Sequence, residues 1–222
     1  MSQPIVLIHG AWHGAWAFDR VAEPLRADGF AVHTIDLPLD GIASDIAAAR
    51  SLIEQHRDAV VLGHSYGGLV ITHAAIGLPV SHLVYLAAMM PGLEEDVSAS
   101  VATARQSVLR GAFRPQPDGR IAIDPELSVE AFYHDCDPAD ASNAASQLRP
   151  MQMDAFPILR DDPAWKAIPS TYIVCANDKA LHPKAQRAFA ARAAHQLELE
   201  VAHSPFINKP DLVVEILADL AS

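Results

Sequence analysis

The chain has 222 residues, 50% of them hydrophobic and 19% charged, with 16 Lys and Arg against 27 Asp and Glu for a formal net charge of −11. That length suits one domain, or one domain with an elaborated insertion, and a chain of this size buries roughly 70–75% of its unfolded surface without disulfides or metal. Such a composition excludes disorder, collagen and coiled coil. Acidity without a basic block speaks for solubility and against a sequence-independent nucleic-acid footprint. Cys136 and Cys175 are too few for a disulfide framework, and Cys175, in an apolar run, reads as a buried small hydrophobe. No charged n-region precedes the apolar run at Ile5, and no apolar run approaches about 18 residues, so neither a signal peptide nor a membrane span is expected and the cytoplasm is the expected location.

In chain order, Ile5–Ile8, Ala31–Ile35, Ala59–Leu62, His82–Leu86, Thr171–Cys175 and Gln196–Val201 read as strands. Several are continuous Val/Ile/Leu runs, the pattern of parallel strands covered on both faces. Helical patterns lie between them at about Asp19–Ala27, Ala43–Gln55, Gly67–Ile76 and Lys184–Ala193. Asp211–Leu220 closes the chain behind Pro210, with Leu212, Val213, Ile216, Leu217 and Leu220 at helical spacing. This alternation predicts an α/β domain with a mainly parallel sheet flanked by helices. It breaks between about Leu93 and Trp165, a stretch rich in proline. Helical patterns recur there at Ser98–Leu109 and Ser128–Tyr133, and the turn signal Pro117-Asp118-Gly119 is flanked by Ile121-Ala122-Ile123. A structureless loop of this length is implausible. The stretch therefore reads as a mostly helical cap (93–165) inserted over one edge of a core made of 1–92 and 166–222.

The strongest chemical signal is Gly63-His64-Ser65-Tyr66-Gly67, a match to G-x-S-x-G. Three fixed positions at about 7% usage recur by chance in roughly one chain of this length in ten, so the context has to carry the argument. A predicted strand precedes the motif and a predicted helix follows it, the strand–turn–helix that a nucleophile elbow requires. The serine oxygen is then presented at the carboxyl ends of the strands.

A serine hydroxyl needs a positioned base. His203, in the loop after the last predicted strand, is the candidate; His182 is its rival. The base in turn needs an acid to fix its tautomer. Asp178 follows the penultimate strand, and the interval to His203 has room for one helix and one strand; Glu94 and Asp96 are the alternative acids. An oxyanion needs two backbone donors. Tyr66, directly after the serine, and Ala11, in the loop after the first strand, are the expected ones, with Gly10 letting substrate approach the backbone.

Val6-Leu7-Ile8-His9-Gly10-Ala11-Trp12-His13-Gly14-Ala15-Trp16, Asp36-Leu37-Pro38, Gly63–Gly68 and Tyr172–Lys179 resemble the first strand and oxyanion loop, second-strand loop, elbow and acid strand of the α/β-hydrolase superfamily. The resemblance is greatest to the branch of small plant-type methylesterases and hydroxynitrile lyases with their bacterial esterase relatives, and it covers about Ile5–Ala88 and Thr171–Ser222. It implies the α/β-hydrolase fold, the Ser65–His203–Asp178 triad and the Ala11/Tyr66 oxyanion hole, without cofactor. The lyases of that branch place lysine after the histidine, and threonine or asparagine after the first-strand histidine. Here these positions are Ser204 and Gly10, which favours ester hydrolysis.

The sequence thus predicts a serine hydrolase of small, largely apolar carboxylic esters, with Ser65 as nucleophile, His203 as base and Asp178 as acid. A lyase using the same triad and a non-catalytic binder with a hydrolase fold are the rivals. No metal enters this reading: His9 and His13 are four apart but sit in a glycine-rich loop without a third ligand. His64 is expected to pack or hydrogen-bond beside the elbow, Asp36 to bond loop backbone, and Trp12 and Trp16 to pack. The expected partner is a small-molecule ester, not nucleic acid or membrane, and a homodimer stays open.

Overall fold

The structure is a computed structural model that describes residues 2–97 and 108–222. Its main sheet has six strands, β1 (Ile5–Ile8), β2 (Val32–Thr34), β3 (Ala59–His64), β4 (Val80–Leu86), β7 (Ser170–Cys175) and β8 (His195–Leu199), in the order β2-β1-β3-β4-β7-β8. Every pairing in it is parallel. β1, β3 and β7 are buried along their whole length, so both faces of each strand need apolar side chains and the sequence runs without polar alternation. Around the sheet lie α1 (Asp19–Ala27), α2 (Ile42–Glu54), α3 (Tyr66–Ala74), α6 (Pro183–Ala190), the single turn α7 (Pro205–Asn208) and the closing helix α8 (Pro210–Leu220). α1 packs on α8, and α2 on α3.

Between β4 and β7 the chain forms an antiparallel hairpin of β5 (Phe113–Pro115) and β6 (Ile121–Ile123), then α4 (Pro125–Phe132) and α5 (Pro138–Ser146). This stretch departs from the sequence reading in three ways. The Pro117-Asp118-Gly119 turn closes a strand pair, although the sequence shows no strand period in this stretch. α4 begins at Pro125 rather than Ser128, because the Asp124 side chain accepts the Leu127 N–H and caps it. α5 has no counterpart in the prediction: Asp137 caps it through the Ala139 N–H, and Pro138 occupies its first turn. Pro125 and Pro138 thus open helices, since the missing N–H of proline is one of those a helix leaves unpaired anyway. α5 also buries only Ala141, Ala144 and Ala145, too small to make a strong apolar stripe. The helix expected over Ser98–Leu109 falls mostly on 98–107, outside the described residues.

The β4–β7 segment bears on loops at the carboxyl ends of the strands. Arg149 N–H donates to the Trp12 carbonyl at 2.7 Å and Gln152 N–H to the Leu39 carbonyl at 2.8 Å. Trp12 Nε1–H donates to the Ile121 carbonyl at 2.9 Å. Among the described residues no helix is long and apolar enough to cross a membrane.

Candidate active site

The register sets the site. Ile8 of β1 lies beside Gly63 of β3, and His64 beside Leu86 of β4, so the loop after β1 and the turn after β3 emerge together. β7 and β8 end side by side at Cys175 and Leu199, and Asp178 and His203 follow within a few residues. All four segments meet at the carboxyl end of one parallel sheet, where such sheets place their sites.

Ser65 sits in the turn from β3 to α3 with φ +53° and ψ −117°, a conformation that L-residues rarely adopt and that costs of order 1–3 kcal/mol. The turn is held from both sides. Ser65 N–H donates to the Leu86 carbonyl, while the Ser65 carbonyl accepts from Gly68 and Met89 N–H at 3.1 and 3.0 Å. It is also too tight for side chains: a Cβ on Gly67 would stand 2.6 Å from the Ile8 carbonyl oxygen and 2.7 Å from that of His9. Among the described residues Ser65 Oγ has no hydrogen-bond partner. Catalytic hydrogen bonds are often long before substrate arrives.

Asp178 and His203 are buried, and His203 Nδ1–H donates to Asp178 Oδ2 at 2.6 Å. The carboxylate can only accept there, so Nδ1 carries the proton, and in the neutral ring the lone pair falls on Nε2, the tautomer a general base requires. Asp178 Oδ1 accepts from Ala180 and Leu181 N–H at 2.7 and 2.9 Å, and Oδ2 also accepts from Gln186 Nε2 at 2.6 Å. Gln186, fully buried on α6, spends its other contacts on the Leu181 carbonyl and the Cys175 N–H. It is a supporting residue that the sequence reading missed; its only signal was an amide on the inward face of a short helix. The rival residues are placed elsewhere. His182 Nδ1 caps α6 by accepting the Lys184 N–H, and Glu94 is exposed with its carboxylate 3.9 Å from Arg160.

On the other side of the elbow lies the β1 loop. Among the described residues neither the Ala11 nor the Tyr66 N–H has an acceptor, so two backbone donors flanking the serine are free. A Cβ on Gly10 would stand 2.8 Å from His64 Nδ1 and 3.1 Å from Ser65 Cβ, so its bareness makes room for the elbow.

Three histidines pack around these loops as neutral side chains. His9 Nε2 accepts from Leu37 N–H at 2.9 Å and its Nδ1–H donates to the Gly10 carbonyl. His13 Nδ1–H donates to the Ala11 carbonyl and its Nε2 accepts from the Tyr133 hydroxyl, both at 2.8 Å. Neither ring keeps a lone pair for a metal ion. Burial pushes His9 down to about 4 and His13 to about 3. His64, held well below the ordinary range by burial, donates Nε2–H to the His203 carbonyl at 3.0 Å, with its ring centroid 4.6 Å from that of His203. Asp36 accepts from the Ala15 N–H, and Trp12 is almost wholly buried.

Tyr66 has a second function in the fold. Its hydroxyl donates to Asp45 Oδ2 at 2.7 Å, and Asp45 Oδ1 accepts from Leu39 N–H. Asp45 is fully buried, and burial raises its pKa.

A model of the alpha/beta hydrolase family matches residues 5–216. The chain belongs to that family. This alpha/beta hydrolase is 26% identical to Methylesterase 3 of Arabidopsis thaliana over 99% of its own length and 96% of that protein's. It is 28% identical to the pheophorbidase of Raphanus sativus, over 92% of this chain and 89% of that one. The crystal structure of methylesterase MES16 from Arabidopsis superposes with a TM-score of 0.82 at 23% identity, covering 98% of each chain, and shares its fold.

Proposed function

We propose that this alpha/beta hydrolase is a serine-dependent carboxylesterase that turns over small, largely apolar esters through an acyl-enzyme. The observation that carries the reading is the buried His203–Asp178 pair, locked in the tautomer of a general base at the same sheet end as a strained serine. Ser65 Oγ attacks the ester carbonyl and gives its proton to His203 Nε2, while Asp178 stabilises the imidazolium. The Ala11 and Tyr66 amides hold the oxyanion. His203 then returns the proton to the departing alkoxide. Water, deprotonated by His203, hydrolyses the acyl-enzyme and frees the acid. No cofactor or metal takes part.

In this reading residues 93–165 form the cap of a core made of 1–92 and 166–222. The cap's Phe113 and Phe132 rings stand 5.8 and 6.3 Å from that of Trp12, an aromatic group suited to apolar ester parts. Among the described residues, the position where the lyases carry lysine offers no cation. Ser204 follows the histidine with its Oγ buried and unpartnered, Lys179 is paired with Glu130, and Lys209 is exposed.

The test is a panel of p-nitrophenyl esters from acetate to octanoate, aromatic methyl esters and mandelonitrile, run on the wild type and Ser65→Ala. Ester turnover is expected, with a loss of at least about 10⁴-fold in the folded variant. Near-wild-type turnover by Ser65→Ala would sink the serine mechanism. Saturable binding without product would make the protein a binder, and mandelonitrile cleavage exceeding every ester would make it a lyase.

A further inference from the structure

The end of α4 and the turn after it touch the base, its flanking backbone, the oxyanion loop and the neighbour of the acid within six residues of chain. Glu130 pairs with Lys179, the neighbour of the acid. Phe132 lays its ring against that of His203, with centroids 5.5 Å apart and planes 29° from parallel. Tyr133 donates its hydroxyl to His13 in the oxyanion loop. Asp135 Oδ2 accepts the N–H of Ala202, the residue before His203, at 2.8 Å.

The last contact completes a pattern around the base. The His203 ring is held at its edge by Asp178 and on its face by Phe132. The backbone on its carboxyl side is held by His64 through the His203 carbonyl. The backbone on its amino side has the Ala202 N–H, and the group that takes it comes from the segment between β4 and β7. We infer that Asp135 is a positioning residue for the general base: by accepting the Ala202 N–H it fixes the backbone before His203 and so the distance from Nε2 to Ser65 Oγ.

This role rests on the triad proposed above. It explains why the carboxylate stands 67 positions from its partner, on the segment between β4 and β7. It also implies that the cap does more than cover the site, since its order is transmitted to the base. Proton transfer depends steeply on geometry, and a displacement near 1 Å can cost about 10²-fold in rate, so loss of one of four restraints is expected to be smaller but measurable. The part Asp135 plays is that of an acceptor. A carboxamide oxygen can accept the same N–H, whereas a methyl group cannot.

The experiment uses the full chain with Asp135→Ala, Asp135→Asn and Ser65→Ala. The readouts are the second-order rate of phosphonylation by a fluorophosphonate, kcat and KM on a short p-nitrophenyl ester, and amide hydrogen exchange over 200–206. Asp135→Ala is expected to slow phosphonylation and kcat about tenfold, leave KM within about twofold and speed exchange at Ala202. Asp135→Asn should stay within about twofold of wild type in every readout. If Asp135→Ala does not fold, Asp135→Ser, whose hydroxyl is too short to reach, takes its place. Wild-type rates in the folded Ala or Ser variant, or an Asn variant as slow as Ala, would overturn the positioning role while leaving the triad intact. Phosphonylation that survives Ser65→Ala would overturn the triad and this role with it.

Discussion

The two halves of the site are built from different materials. The elbow is backbone against backbone: Gly67 lies so close to the Ile8 and His9 carbonyls that no side chain fits, and the Ser65 carbonyl is gripped by two amides. The base loop is held by side chains that arrive from elsewhere, with Asp178 from the β7 end, His64 from β3, and Phe132 and Asp135 from the segment between β4 and β7. A backbone-built part has no slack and shows as a short motif. A side-chain-built part can be assembled from many residue choices and leaves no local pattern. The comparison predicts that damage to the elbow is all-or-none and damage to the base side is graded.

The largest effect is expected at the buried neutral histidines of the loop after β1. His9 and His13 sit at about 4 and about 3 in the fold against an ordinary 6.5. Below 6.5 the unfolded chain therefore binds protons that the folded one refuses, so stability is present above that value and is lost as pH falls towards 4. The expected slope is up to about 1.4 kcal/mol per histidine per pH unit. Urea midpoints at about pH 7, 6 and 5 measure it, and a flat profile would mean that these rings are not buried and neutral.

Gly67→Ala comes next. Its Cβ would meet two carbonyl oxygens below 3 Å, and neither strand backbone can give way. A loss of about 3 kcal/mol in chemical unfolding is expected, since overpacking typically costs 1–3 kcal/mol and more where backbone is struck, together with loss of ester turnover. A stable and active Gly67→Ala would show that the elbow has the slack denied to it here.

Tyr66→Phe is the mildest. Asp45 keeps the Leu39 amide but loses the phenol, at a cost of about 1–3 kcal/mol at neutral pH. Because burial raises the Asp45 pKa, folding favours proton uptake by this carboxyl and the folded state gains as pH falls through that raised value. The gap between Tyr66→Phe and wild type should thus narrow from about pH 7 to about pH 4, read from paired urea curves. A gap that widens on acidification would mean that Asp45 is not the partner that matters.

The same division separates what is legible in the chain from what is not. The fully buried strands, the alternation with helices, the G-x-S-x-G turn and the chain order of Ser65, Asp178 and His203 are written in local periodicity and local backbone demands, and the sheet register brought Asp178 to His203 as expected. The close approach of Gly10 to His64 and Ser65 is visible only once the two loops are placed. The capped helix α5, the support of Asp178 by Gln186 and the grip of Asp135 on Ala202 belong to the tertiary structure alone. Short polar caps and single side-chain hydrogen bonds have no period, and whether an amide or carboxylate reaches its partner is decided by the packing of segments far apart in the chain.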